Sequence, residues 1–257
     1  ITPYTSQRES EHDFFTVGHT STSIANALGY AKARDLTNNK GNIVAVIGDG
    51  SLSGGLAMEA LNNAGDFKGN LIILVNDNQM SIAENHGGLY RNLAELRATN
   101  GQAENNFFKT FGLDYKYLEN GNDIESLIHL FEEVKDINHP IVLHIHTEKG
   151  RGYQPALENK EAFHWHMPFD LETGQSKVID SGKSYSSVML DYMDKKVSEG
   201  LPLVAINAAI PGIFGLKQFA AKYPDRYIDA GIAEQFTITF GGAMAAAGAR
   251  PIIFHNS

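Results

Sequence analysis

The feature that most constrains this chain is the alternation of short, wholly apolar runs with stretches of helical period. Residues 43–47 (Ile-Val-Ala-Val-Ile) and 71–75 (Leu-Ile-Ile-Leu-Val) are strand-sized, and they run into Gly48-Asp49-Gly50 and Asn76-Asp77-Asn78. An apolar run with no polar alternation predicts a strand buried on both faces, as in a sheet covered by helices on either side. Between and around these runs the spacing predicts helices. Residues 20–36 place Ile24, Ala27, Leu28 and Ala31 on one face, with hydroxyl residues capping the front. Residues 53–64 are closed by Gly65, and residues 123–134 turn Ile124, Leu127, Ile128, Phe131 and Val134 inward. A third strand is expected over 140–145. Strands separated by helices define an α/β fold with a parallel sheet flanked by helices. In such sheets ligands sit beyond the carboxyl ends of the strands, where both Gly48-Asp49-Gly50 and Asn76-Asp77-Asn78 fall.

From 149 to 183 the pattern lapses into Gly, Pro, His and polar residues, which predicts a connector between domains. It then resumes with helices over 184–199, 213–221 and 232–247, and strands over 203–206, 227–229 and 250–254. The expected organisation is therefore an α/β domain over 1–148, a linker over 149–183, and an incomplete second α/β domain over 184–257.

Composition narrows the function classes. With 21 Lys and Arg against 30 Asp and Glu the net charge is −9, and no basic run is present, which argues against a nucleic-acid binder. The chain has no cysteine, so disulfide frameworks, Cys-based zinc sites and thiol nucleophiles are excluded. A reducing cytoplasm is compatible with that composition. No apolar run approaches the length needed to span a bilayer.

Asp49 stands between two glycines, after an apolar strand and before a helix. The glycines let a phosphate approach the backbone, and a helix N-terminus supplies N–H groups. Asn78 lies 29 positions later at the end of the next strand. A carboxylate and an amide oxygen on neighbouring strand ends can share one hard cation such as Mg²⁺, whose octahedron is completed by a carbonyl, water and diphosphate oxygens. Alone, Gly-Asp-Gly reads more readily as a turn; the paired spacing reverses that and favours the metal. His164 and His166 flank Trp165, and two His with no Cys or clustered carboxylate make a poor zinc site. One is expected to face the site and the other to pack or meet solvent. Asn62 and Asn63 read as structural, and Arg34, Arg91 and Arg97 as solvated charges.

Five stretches in order carry a resemblance: Gly18-His19-Thr20-Ser21-Thr22-Ser23-Ile24, Gly48-Asp49-Gly50, Asn76-Asp77-Asn78-Gln79-Met80-Ser81-Ile82, Lys149-Gly150-Arg151-Gly152-Tyr153 and Asp229-Ala230-Gly231-Ile232-Ala233-Glu234-Gln235. Together they resemble the 1-deoxy-D-xylulose-5-phosphate synthases, transketolase-like enzymes that use thiamine diphosphate and Mg²⁺. The resemblance implies that pyruvate condenses with D-glyceraldehyde 3-phosphate, with loss of carbon dioxide, in a cytoplasmic homodimer. It implies Asp49, Asn78 and the Met80 carbonyl as Mg²⁺ ligands. Gly18, His19, Thr20, Gly50, Ser51, Asn78, Ile82, Tyr153, Ile232 and Glu234 would hold the cofactor. Glu234, His19, Lys149 and His164 would be the catalytic set, with Glu234 exchanging a proton with the aminopyrimidine ring and Lys149 and His164 on the substrate side. On this resemblance the first domain binds diphosphate and Mg²⁺, and the second binds the pyrimidine.

Two departures matter. Phe236 follows Gln235 where the family usually has His, and the polar stretch over 85–106 is shorter than in many members. The family also continues beyond both ends of this sequence, so the chain is expected to be part of a longer enzyme. Its substrate-phosphate residues would lie outside the chain. The rival expectations are another transketolase-like enzyme, either a transketolase or a 2-oxo acid decarboxylating subunit, and a non-catalytic cofactor-binding remnant.

Overall fold

The computed structural model describes residues 4–178 and 182–256. Positions 1–3 and 257, at the ends of the two expected domains, and positions 179–181 of the expected linker lie outside the described residues. In chain order the elements are α1 (Ser23–Leu36), β1 (Val44–Gly48), α2 (Gly55–Ala64), β2 (Leu71–Asp77), α3 (Gly88–Ala98), β3 (Asp114–Leu118), α4 (Ile124–Val134), β4 (Pro140–His146), α5 (Gln154–Glu158), α6 (Tyr185–Ser198), β5 (Leu203–Asn207), α7 (Leu216–Lys222), β6 (Tyr227–Asp229), α8 (Glu234–Ala246) and β7 (Arg250–Phe254). They divide into two compact units, one of residues 1–76 and 92–145, the other of residues 77–91 and 146–257. Both are α/β. No helix among the described residues is long and apolar enough to cross a membrane.

The larger sheet has strand order β1-β2-β4-β3, with β1 parallel to β2 and β3 parallel to β4. Its core joins Ile72, Ile141, Leu143 and Ile145 of the strands to Leu130 and Val134 of α4. Asp123 caps α4, accepting from the Ser126 N–H at 2.9 Å. The smaller sheet has order β6-β5-β7, all parallel, with β5 buried throughout its length. Met193, Val197, Leu216 and Phe219 cover one of its faces. Ser184 and Ser187 close a reciprocal capping box at the start of α6.

Several expectations are corrected. β1 is not buried on both faces: Val44 and Val46 are 42% and 59% exposed, because the face they share is left open beside a cavity, while Ala45 and Ile47 are buried on the other. Of the residues expected inward on α4, Ile124 and Ile128 are 64% and 44% exposed, and the helix buries Leu130 instead. α1 begins only at Ser23, and its N-cap Thr22 makes no side-chain capping bond. The segment after Asp49 opens as a 3₁₀ turn over Gly50–Ser53 before α2 begins. The stretch over 85–106 contains α3, and the expected linker contains α5 and a cluster of aromatic rings. Thr237 and Gly241 are the residues that the apolar helix α8 buries.

Arg34 is not a solvated charge. Its side chain is 9% exposed, donates to Asp35 Oδ1 at 2.7 and 2.9 Å and to the Gly41 carbonyl at 3.0 Å, and reaches Asn70 Oδ1 at 3.3 Å. Asn70 in turn accepts from the Ile43 N–H at 3.3 Å and donates to the Ile137 carbonyl at 3.1 Å. One amide thus joins the segments that lead into β1, β2 and β4. Asn70→Ala leaves a part-buried backbone donor and acceptor without their partners and should lower the unfolding free energy by about 1–3 kcal/mol. Urea denaturation of wild type and variant measures it; an unchanged midpoint would show that water replaces the clip at no cost.

Candidate active site

In the first unit the chemistry gathers where β1 ends. The ladder with β2 runs to the pair Gly48↔Asn76, and the Asp49 N–H then donates to the Asn76 carbonyl at 3.1 Å. Asp49 is 2% exposed, a buried carboxylate at a strand tip. Behind it the 3₁₀ turn is tied by the Leu52 N–H to the Asp49 carbonyl at 3.1 Å and by Ser53 Oγ to the Gly50 carbonyl at 2.9 Å.

The turn is braced from outside by Ser21. Its Oγ donates to the Ser51 carbonyl at 2.8 Å, across thirty positions of sequence. Ser21 is buried with φ of +67°, a left-handed backbone that a non-glycine residue holds only when its surroundings impose it. Gly54 makes the brace possible: a Cβ there would stand 2.2 Å from Ser21 Oγ. The brace places Gly18, His19 and Thr20 beside the turn. His19 Nδ1 donates to the Thr20 carbonyl at 2.8 Å, which fixes the proton on that nitrogen while the ring stays neutral. Gly18, His19, Thr20 and Ser51 line a cavity of about 730 Å³ whose apolar wall includes Phe14, Tyr30 and Val46. That volume lies within the range of small-molecule sites, roughly 300–1,000 Å³.

In the second unit the loop after β2 is built from consecutive side-chain turns. The Gln79 N–H donates to Asp77 Oδ1 at 3.0 Å, and the Met80 N–H to Asn78 Oδ1 at 3.2 Å. Lys149 Nζ donates to the Ser81 carbonyl of this loop and lies 3.1 Å from His164 Nδ1. An ammonium can only donate, so Nδ1 is the acceptor and the imidazole carries its proton on Nε2. Shielding of the ring from solvent, and after it the charge of Lys149, hold His164 below the ordinary histidine pKa, although its outer edge stays exposed. His166 packs instead against Phe163 and Phe169, with centroids 4.8 and 4.9 Å away, and donates from Nδ1 to the Met167 carbonyl. Tyr153 joins the same cluster, and its hydroxyl donates to the Leu171 carbonyl at 3.0 Å. Glu234 is the first residue of α8, where the helix dipole favours a carboxylate. Phe236, 52% exposed, stacks on Phe240 at 5.2 Å.

The first unit therefore brings Gly18, His19, Thr20 and Ser51 round one cavity, and the second brings Lys149 and His164 to the loop that carries Asn78, Met80 and Ile82. Among the described residues no three His, Cys, Asp or Glu side chains form a metal cluster. The expected donors Asp49, Asn78 and the Met80 carbonyl are one carboxylate and two neutral oxygens. That all-oxygen set fits a hard ion such as Mg²⁺, which takes most of its shell from ligand and water. Reasoning from sequence missed Ser21 as a brace and His86, whose Nε2 lies 2.8 Å from the Asp229 carbonyl, since these bonds span 30 and 143 positions and have no local signature.

The family model for 1-deoxy-D-xylulose-5-phosphate synthase matches residues 1–105 and 98–147, more than half of the 257 residues. This chain belongs to that family. Curated relatives of the same name include proteins from Syntrophotalea carbinolica, 39% identical over 98% of this chain, and Geobacter metallireducens, 41% identical over 98%. The chain spans 46% of the length of each. Among solved structures, transketolase from Campylobacter jejuni covers 93% of this chain and 48% of its own, at 17% identity and a TM-score of 0.44. That likeness is too slight to carry weight beside the family match.

A histidine with a lowered pKa stabilises the folded state fully above its unfolded value near 6.5, and that contribution is lost as pH falls through the lowered native value. Lys149→Met removes the repelling charge and keeps the shielding, so the His164 pKa should rise toward the ordinary value. NMR titration of the His164 Cε1–H measures it, and an unmoved midpoint would show that the ammonium is not felt by the ring.

Proposed function

We propose that the protein carrying this chain condenses pyruvate with D-glyceraldehyde 3-phosphate to 1-deoxy-D-xylulose 5-phosphate, releasing carbon dioxide, with thiamine diphosphate and Mg²⁺. The observation that carries this reading is the buried Asp49 on the Ser21-braced turn, within the residues matched by the family. Asp49, Asn78 and the Met80 carbonyl are the proposed Mg²⁺ ligands. The Gly50 backbone and Ser51 hydroxyl bind diphosphate, Gly18, His19, Thr20 and Tyr153 line the cofactor, and Ile82 and Ile232 support its rings. When bound, the cofactor supplies the electron sink for decarboxylation and carbon–carbon bond formation.

The remaining work falls to this chain's side chains. Glu234 holds and returns a proton at the pyrimidine ring, the role of a positioned acid–base group. His164, neutral with its proton on Nε2, is a hydrogen-bond donor toward a substrate oxygen, and Lys149 keeps it in that form while offering a positive charge to a carboxylate or phosphate. A cytoplasmic homodimer belongs to the same reading, and the exposed Phe236 and Ile238 of α8 supply an apolar surface that a second copy can cover.

The test uses the intact gene product with pyruvate, Mg²⁺ and thiamine diphosphate, following carbon dioxide and the sugar phosphate with and without the aldehyde. Product that requires both substrates is expected; carbon dioxide release indifferent to the aldehyde, or turnover of ketose phosphates alone, would overturn the choice of substrates. Asp49→Ala should weaken Mg²⁺-dependent cofactor binding in calorimetry, since without a bridging cation the charges of the diphosphate repel one another. Glu234→Gln should bind cofactor yet lose about 10²-fold or more in kcat; undiminished turnover would remove its role.

A further inference from the structure

Asp229 closes β6, and its carboxylate accepts four hydrogen bonds. Oδ1 accepts from the Ala209 N–H at 3.0 Å and the Gly231 N–H at 2.9 Å. Oδ2 accepts from Asn207 Nδ2 at 3.1 Å and from the Tyr227 hydroxyl at 3.2 Å. Two of these donors come from loops that leave neighbouring strands, one after β5 and one after β6. Both loops turn through left-handed residues, Ala209 at φ of +64° and Gly231 at +69°. For alanine that conformation costs on the order of 1 kcal/mol and persists only where partners hold it. The Ala230 N–H adds a bond to the Asn207 carbonyl at 2.9 Å. The Tyr227 hydroxyl is pushed above its ordinary pKa, first by burial and then by the Asp229 charge.

The backbone of the same residue receives a third segment. The Asp229 carbonyl lies 2.8 Å from His86 Nε2. A carbonyl can only accept, so this nitrogen carries a proton. His86 belongs to the loop that begins with Asn78, Met80 and Ile82. One residue therefore joins three segments: the loop after β5, the turn 230–233 that leads into Glu234, and the loop over 78–88.

We propose that Asp229 and His86 are positioning residues, Asp229 fixing the turn that presents Ile232 and Glu234, and His86 pinning to it the loop that carries Asn78, Met80 and Ile82. The inference rests on the function proposed above for Glu234 and that loop. Neither residue touches reacting atoms; each acts by narrowing the positions available to residues that do. Removing the carboxylate charge weakens four bonds together. Removing the imidazole frees one loop from one carbonyl.

The test uses the intact gene product as wild type, Asp229→Asn, His86→Ala and His86→Gln. Hydrogen exchange without cofactor reads the geometry itself. Asp229→Asn should speed exchange of the Ala209 and Gly231 amides by about tenfold or more, as expected for loss of charge-assisted bonds, while the Ala205 amide within β5 keeps its rate. His86→Ala should speed exchange over 230–233 and in the 78–88 loop about threefold to tenfold and raise the thiamine diphosphate dissociation constant by a similar factor. His86→Gln, whose amide can still donate, should recover most of both. Wild-type exchange in Asp229→Asn or in His86→Ala overturns the assignment of that residue. Should Asp229→Asn not fold, the His86 pair decides the pinning, and Tyr227→Phe, which removes one of the four donors, decides the carboxylate's role by its effect on Gly231 exchange. Failure of the functional reading would look different: wild type itself would bind no thiamine diphosphate, whatever the exchange rates of the variants.

Discussion

The pairing of β1 with β2, from Val44↔Ile72 to Gly48↔Asn76, is the interaction on which the chemistry of the first unit depends. Parallel pairing needs a long crossover, and here α2 supplies it, so residues distant in sequence finish at one level. Once the ladder stops, the next peptide N–H, that of Asp49, still bonds to the Asn76 carbonyl, and the backbone bends into a 3₁₀ turn with its carboxylate buried at the tip. Slipping the ladder by one residue would exchange the two faces of β1 and bring the buried Ala45 and Ile47 to the side where Val44 and Val46 are exposed. The site is thus a consequence of register, and register is a consequence of which apolar side chains the helices can cover.

The second unit organises its loops by another device, in which short acidic and amide side chains accept from the backbone just beyond them. Asp77 and Asn78 do so after β2, and Asp170 does so for Glu172 and Thr173, its bonds to Thr173 lowering its pKa. Asp229 gathers donors from two loops. A turn made this way is ordered by its own side chains and leaves flanking positions available for ligand. Lys149 and His164 add a different kind of order, in which a lysine selects the tautomer of a histidine.

The alternating α/β pattern was legible in the sequence because β2, β4 and β5 are buried along nearly their whole length, and burial writes itself as apolar runs. β3 escaped because Asp-Tyr-Lys-Tyr-Leu is a sheet-edge strand with no residue fully buried, and α3 because its buried face is only Leu93 and Leu96. The exposure of Val44, Val46, Ile124 and Ile128 shows the converse, that apolarity does not by itself assign a residue to a core. The motif residues of the site were legible as residue types at particular spacings. Their supports were not, since Ser21 to Ser51, Arg34 to Asn70 and His86 to Asp229 are meetings that chain folding alone decides.

The close approach of Ser21 to Gly54 has a consequence for how such a sequence can change. A methyl group at position 54 would overlap an oxygen that is itself holding the turn after Asp49, so the two positions cannot drift independently. Any lineage replacing the glycine must first shed the serine and find another donor for the Ser51 carbonyl. The intermediate genotype lacks the strut altogether. Two adjoining sites, each tolerant in isolation of small residues, thereby become locked as a pair, and the barrier to their exchange is set by van der Waals radii rather than by anything the reaction requires.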